Sequence, residues 1–218
     1  MMSIESIELP DRLAKRIANV SARDRGEPGC RMASRRSCQF TTELSYGRHG
    51  GPFAYDARPA AVVVLLYRQE DAWYVPLTLR PGHLQDHAGQ VSLPGGAVEP
   101  AESTEMAARR ELQEELGIEP DAIRLLGCLP EIYVFASNFL VTPYVAVCRQ
   151  RPAMRPDPAE VAELLEVPLG HLIDDSQQTT QLVQRLGVRF EARGMLFGGH
   201  FIWGATAAIL DNLFGLLD

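Results

Sequence analysis

Three glutamates, Glu111, Glu114 and Glu115, are spaced so that their carboxylates lie on one side of a helix. Residues three and four apart are neighbours on a helix surface, and like charges there destabilise an isolated helix by roughly 0.2–0.5 kcal/mol per pair. No lysine is interleaved among them. Such a face is either solvated or a site for hard divalent cations, which take oxygen ligands and share carboxylates with substrate phosphates.

The flanking residues predict the helix that carries these carboxylates. Ser103 is a favourable N-cap, and Gly117 stands where a left-handed residue ends a helix. Most residues between them are strong helix formers. An apolar stripe on another side of this helix is expected to pack on a sheet, and it consists of Ala108, Leu112 and Leu116.

The stretch from Gly96 to Ile118, GAVEPAESTEMAARRELQEELGI, resembles the Nudix box at all nine of its restricted positions over 23 residues. The resemblance implies a hydrolase of a nucleoside diphosphate linked to another group, with Mg²⁺ or Mn²⁺ as cofactor. It implies metal ligation by Glu111, Glu114 and Glu115. The assisting groups that it implies are Glu102 and the Gly96 carbonyl, and Arg110 would hold the glutamates in place.

The loop before the box is similar to the additional motif of coenzyme A pyrophosphatases. That family shows L-T-x-R, then R-x-H-x-G-Q, then F-P-G-G. This chain has LTLR at 77–80 and HAGQVSLPGG at 87–96, with Gln85 in place of the second arginine and Leu93 in place of the phenylalanine. With further matching pieces, the resemblance extends over roughly residues 78–207.

This loop leads directly to the box, so its side chains must lie beside the metals and the pyrophosphate. The candidate substrate-binding residues are Arg80, His87 and Gln90. Arg80 is a fixed cation that can bind phosphate bidentately, which makes it a candidate for recognising the 3′-phosphate of coenzyme A.

The reaction implied is attack of water on one phosphorus of a pyrophosphate, with a carboxylate taking the proton. Candidates for this base are Glu115, which lies among the expected metal ligands, and Glu160, which comes from a separate loop; Glu131 and Glu163 are weaker candidates.

Three functions are compatible with these motifs. The first is cleavage of coenzyme A or acyl-CoA to adenosine 3′,5′-bisphosphate and (acyl-)4′-phosphopantetheine. The second is cleavage of another nucleoside diphosphate derivative, such as ADP-ribose, NADH or a dinucleoside polyphosphate, which the departures at Gln85 and Leu93 leave open. The third is a regulator that binds a nucleotide without cleaving it, although such a protein would be expected to have lost some of the glutamates.

The composition of the chain limits its possible binding partners and chemistry. The 218-residue chain has a net charge of −7, with nine Arg/Lys against six Asp/Glu in residues 1–50 and 12 against 22 in the rest. The acidic main part argues against nucleic-acid binding. Lys15 is the only lysine, which excludes most P-loop and Schiff-base chemistry. Four cysteines without a C-x-x-C pair, and the absence of a signal-peptide pattern, favour reduced thiols in a cytoplasm.

Patterning predicts an α/β fold, and the resemblance implies an α/β/α sandwich with a mixed central sheet. Residues 1–58 are expected to form a peripheral helix and irregular arm, and 59–218 the catalytic domain. The helical positions of residues 9–20 either cover a core or form a homodimer contact. Asp211 and Asn212 interrupt the apolar C-terminal stretch, which favours a strand and a buried helix over a membrane span. Strands are expected at 60–67, 73–80, 122–128, 139–148, 179–184 and 186–192.

Overall fold

The computed structural model describes residues 8–23, 53–83, 87–185 and 187–217. Most of the predicted irregular arm and the departure at Gln85 lie outside these ranges. The helices are α1 (Leu9–Arg23), α2 (Thr104–Leu116), α3 (Leu169–Ile173) and α4 (Gly204–Phe214). The strands are β1 (Arg58–Gln69), β2 (Ala72–Leu79), β3 (Val91–Ser92), β4 (Gly95–Ala97), β5 (Arg124–Cys128), β6 (Ile132–Val134), β7 (Phe139–Cys148), β8 (Glu163–Pro168), β9 (Gln178–Arg185), β10 (Val188–Phe197) and β11 (His200–Trp203).

Within the described ranges, eight strands form one mixed sheet, with β1 at its centre. β1 pairs in parallel with β7 and antiparallel with β2 and β4, and β8 pairs with β2. The apolar run of β1 has no polar alternation because both of its faces are covered. Ala61, Val63 and Leu65 pack with α2, whereas Val64 and Leu66 belong to the core on the opposite face. The predicted α/β/α sandwich is confirmed.

Helix α1 is part of the core. Leu9, Leu13 and Ile17 are at most 2% exposed, and they share a core cluster with α4. The Arg16 guanidinium also donates to the carbonyl of Leu216 at 3.0 Å. The predicted amphipathic helix is therefore confirmed, but its packing against the sheet differs from the expected peripheral position.

A second, three-stranded antiparallel sheet precedes the C-terminal helix, in the order β11-β10-β9. The strand predicted at 179–184 is confirmed, and the one predicted at 186–192 begins at Val188 and continues to Phe197. The expected C-terminal strand and buried helix are β11 and α4. Among the described residues, no helix combines the length and apolarity that crossing a bilayer requires.

Candidate active site

Helix α2 begins and ends as its flanking residues predict. The Ser103 hydroxyl accepts a hydrogen bond from the Met106 amide at 3.2 Å, and Gly117 adopts a left-handed φ of 64° while donating to the Gln113 carbonyl at 2.8 Å. The apolar stripe of Leu112 and Leu116 is buried against β1. Packing of this stripe fixes the rotation of α2 and so the direction of its carboxylates.

Two glutamates of α2 meet a third from a distant loop. Carboxylate oxygens of Glu111, Glu115 and Glu160 lie within 4.8 Å of one another, and we call this set the three-carboxylate cluster. The loop that carries Glu160 is attached to the end of α2, because the Asp157 amide donates to the Glu115 carbonyl at 2.9 Å. The Glu160 amide in turn donates to the Asp157 carbonyl at 3.0 Å.

Glu115 is the most deeply buried member of this cluster, at 1% exposure. Burial raises its pKa to about 8, and the nearby charges of Glu111 and Glu160 act in the same direction. Arg80, whose Nη1 lies 3.8 Å from Glu115 Oε1, opposes the rise, as does a hydrogen bond from the Gly95 backbone. Burial likewise raises the pKa of Glu111.

The cluster fits a hard divalent cation. Within the described residues, the buried Oε2 atom of Glu115 has no hydrogen-bond partner, although buried polar atoms are nearly always paired. Three carboxylates this close together repel one another unless protons or cations neutralise them. An all-oxygen donor set is the one that Mg²⁺ and Mn²⁺ prefer.

Arg110 holds the acidic face together. Its Nη1 donates to Glu111 and to Glu114, both at 2.8 Å, and its Nε donates to Glu102 at 3.0 Å. The Arg110 Nη2 also donates to the Ala97 carbonyl at 3.0 Å. The hydrogen bond to Glu102 is the largest cause that raises the pKa of Arg110 above its ordinary value, and the same contact lowers the pKa of Glu102.

Of the three glutamates expected to bind metal, Glu114 lies apart from the cluster. Its side chain is 53% exposed and paired with Arg110. Glu160, which the sequence suggested as a base, occupies the third place. The weaker candidates lie elsewhere: Glu131 accepts a hydrogen bond from Thr142 at 3.0 Å, and Glu163 lies 3.1 Å from His200.

A side chain at Gly96 would collide with the Glu111 carboxylate, which would then have to move. Gly96 is in β4, paired with Ala61 of β1, and a Cβ built on it would lie 2.3 Å from Glu111 Oε1. With Glu111 in this position, the backbone of β4 therefore lies closer to the cluster than a residue with a Cβ would allow. The Gly96 backbone thus lies beside the Glu111 carboxylate.

A cavity of about 540 Å³ adjoins this centre, and its lining includes Gly96, Arg80, His87 and Gln90. The loop predicted to bind substrate is fixed by its backbone, since the Arg80 amide donates to the Gln90 carbonyl at 3.0 Å. His87 Nδ1 lies 2.9 Å from Gln90 Oε1. An amide oxygen only accepts, so Nδ1 carries the proton. The three predicted binding residues thus line one cavity.

A second part of the cavity wall was not predicted from the sequence. It contains Arg185 at the end of β9 and the aromatic residues Phe135, Phe190 and Trp203. The rings of Phe190 and Trp203 meet edge to face at 5.9 Å. Strands β9 and β10, which form a hairpin, were predicted. No local pattern shows which of their faces turns toward the loop that carries His87, about 100 residues earlier in the chain.

Comparisons with known proteins identify the family of this chain. The model of the family described as NUDIX domain matches residues 57–186. An uncharacterized Nudix hydrolase, NudL, of Enterobacter sp. (strain 638) is 34% identical over 157 residues, which cover 72% of this chain and 81% of the relative. NudL of Salmonella paratyphi B is 35% identical over 157 residues, with the same coverage of both chains. The crystal structure of DR0079 from Deinococcus radiodurans matches with a TM-score of 0.48 and 19% identity, covering 74% of this chain and 88% of that one.

Proposed function

Because this chain belongs to the NUDIX domain family and is a Nudix hydrolase of nucleoside diphosphate derivatives, we propose that its substrate is coenzyme A or an acyl-CoA. The products would be adenosine 3′,5′-bisphosphate and (acyl-)4′-phosphopantetheine. The observation that carries the proposal is the contact between Arg80, in the loop similar to that of coenzyme A pyrophosphatases, and Glu115 in the three-carboxylate cluster.

We infer that the metal ligands are drawn from the acidic face of α2 and from β4. Glu111 and Glu115 would bind the ion directly, and Glu114, Glu102 and the Gly96 carbonyl would assist. Bound Mg²⁺ or Mn²⁺ would neutralise phosphate oxygens and lower the pKa of the attacking water. Arg110 bonds three of these carboxylates and so keeps them oriented when no ion is present.

The general base is assigned to Glu160, with Glu115 as the alternative. Glu115 is nearly inaccessible, and its unpartnered Oε2 suits a ligand atom better than a group that must exchange protons with solvent. Glu160 is half-buried, reaches the same cluster, and comes from a loop rather than from α2. Its carboxylate can therefore take a proton from water at the cluster and release it outward.

The cavity can bind the parts of the substrate on either side of the pyrophosphate. Arg80, His87 and Gln90 present a cation and two polar groups close to Gly96, where the pyrophosphate would lie. The aromatic wall of Phe190 and Trp203 offers an apolar surface to an adenine ring or a pantetheine arm. A cavity of this size is in the usual range for small-molecule sites.

A product analysis tests the proposal. Purified protein with Mg²⁺ is incubated separately with CoA, acetyl-CoA, dephospho-CoA, ADP-ribose and NADH, and kcat/KM and products are measured by chromatography with mass detection. We expect CoA or acetyl-CoA to be the best substrate, with adenosine 3′,5′-bisphosphate as a product. Faster cleavage of ADP-ribose or NADH would refute the CoA assignment, and tight binding without cleavage of any compound would indicate a regulator.

A further inference from the structure

Two arginines line the cavity, and they stand in different surroundings. Arg80 lies against Glu115, so its guanidinium is beside the three-carboxylate cluster and the reacting pyrophosphate. Arg185 lies on the wall formed by the hairpin of β9 and β10, where its Nη2 is 3.4 Å from His87 Nε2. Coenzyme A carries a phosphate monoester in addition to its pyrophosphate, so its recognition calls for a cation beyond the one at the reacting centre.

The geometry of β9 directs Arg185 inward. Exposure alternates along this strand, and Arg185 is on the less exposed face together with Val183. Across the hairpin it is paired with Val188, which also lines the cavity. Arg189, in contrast, is exposed, and its Nε lies 3.4 Å from Gln184 Oε1. The hairpin thus presents one arginine to the cavity and another to solvent.

His87 orients the inward arginine. Since its Nδ1 donates to Gln90, its Nε2 has a lone pair that accepts from the Arg185 guanidinium. The planar fork of a guanidinium matches a phosphate bidentately, which a lysine does not reproduce.

This wall lies largely outside the part of the chain that the family model matches. The match ends at residue 186, whereas Val188, Phe190 and Trp203 follow it. The hairpin therefore spans the end of that match: β9 with Arg185 lies within it, and β10 continues beyond it. Because function is determined by the residues of a site rather than by the fold, the residues of this wall are candidates for substrate selection.

We propose that Arg185 binds the phosphate monoester of the substrate, the one outside the scissile pyrophosphate. The inference rests on the proposed cleavage of CoA and adds the hairpin of β9 and β10 as its specificity element. Arg80, which the sequence suggested for this role, would instead act at the pyrophosphate beside Glu115.

The test compares CoA with dephospho-CoA, which lacks the monoester. Arg185→Gln should lower kcat/KM for CoA by roughly 10- to 100-fold, mainly through KM, because a charged hydrogen bond is lost. The loss on dephospho-CoA should be several times smaller. Arg185→Lys should recover part of the CoA activity, and Arg189→Gln, on the outer face of the same hairpin, is the matched control.

A binding measurement separates recognition from catalysis. In EDTA, the wild type should bind adenosine 3′,5′-bisphosphate more tightly than AMP by calorimetry, and Arg185→Gln should abolish that difference. Equal losses on CoA and dephospho-CoA, or a selective loss in Arg80→Gln but not in Arg185→Gln, would overturn the inference while the proposed function stood. Wild-type preference for ADP-ribose would refute the proposed function, and this is measured before any variant is made.

Discussion

In the metal-free protein, the Glu115 carboxyl couples stability to pH, and Glu115→Gln should remove most of that coupling. Burial raises the pKa of Glu115 from its ordinary 4.5 to about 8. Below 4.5 the group is protonated in the folded and unfolded states alike. Between 4.5 and about 8 the folded protein keeps a proton that the unfolded chain releases, so the free energy of unfolding falls as the pH rises through this window.

The size of the effect follows from the pKa. A change of one in pKa corresponds to about 1.4 kcal/mol, so the rise to about 8 costs the folded state about 5 kcal/mol once the group is ionised. Glutamine carries no charge, but its buried amide would lack partners at a pH-independent cost of about 1–3 kcal/mol. Above the pKa of Glu115 the variant should therefore be more stable than wild type by about 2–4 kcal/mol. Below pH 5 the order should reverse.

Urea unfolding followed by circular dichroism, in EDTA at about pH 5 and about pH 9, measures this difference. Glu105→Gln is the matched control, because Glu105 lies on the same helix and makes an exposed ion pair with Arg109 at 3.2 Å. Such a pair contributes about 0–1 kcal/mol. If wild type and Glu115→Gln lose the same stability between the two pH values, the Glu115 carboxylate is ionised throughout in the folded protein and the reasoning fails.

Four substitutions test the catalytic centre and the core. Glu111→Gln and Glu115→Gln should each slow turnover by roughly a thousandfold or more, about 4 kcal/mol of barrier, with the fold retained; near-normal rates at saturating Mg²⁺ would contradict the metal assignment. Gly96→Ala should lower activity, since its Cβ would lie 2.3 Å from Glu111 Oε1 and displace that carboxylate, and an unchanged rate would show that the carboxylate can move without loss of function. Leu13→Ala should cost about 2–4 kcal/mol of unfolding free energy, against almost none for the exposed Lys15→Ala, and equal small losses would place α1 outside the core.

The elements with strong local determinants could be predicted from the sequence. Helix α2 has a capping serine, a terminal glycine and an apolar stripe, and it forms between the expected residues. Strands β1 and β7 are apolar runs. Because both of their faces are covered, polar and apolar residues need not alternate along them. Strand β8 was not predicted, because ELLEVP lies in a longer apolar and acidic stretch with no helix or strand period of its own. Pairing with β2 determines its conformation.

The residues of the site also fall into those that local spacing predicts and those that it does not. Residues close in sequence, such as Glu111, Glu115 and Arg110, meet as the helical spacing requires. The exposure of Glu114 could not be derived from spacing, because its side chain is directed by the ion pair with Arg110. The cavity wall at Arg185 depends on how a hairpin packs across about 100 residues of chain, and no pattern within the hairpin encodes that contact.

The position of Glu160 shows how a long-range part of the site can follow from a local rule. The last carbonyls of a helix have no partners within it, and α2 ends at Leu116 because Gly117 turns the chain away. The returning loop supplies the missing donors: the Arg155 amide bonds the Leu116 carbonyl at 2.7 Å and the Asp157 amide bonds the Glu115 carbonyl at 2.9 Å. The hydrogen bonds that complete this helix end therefore bring Glu160 to Glu115. Their net contribution, about 1 kcal/mol each, opposes a repulsion among carboxylates that a bound cation would remove.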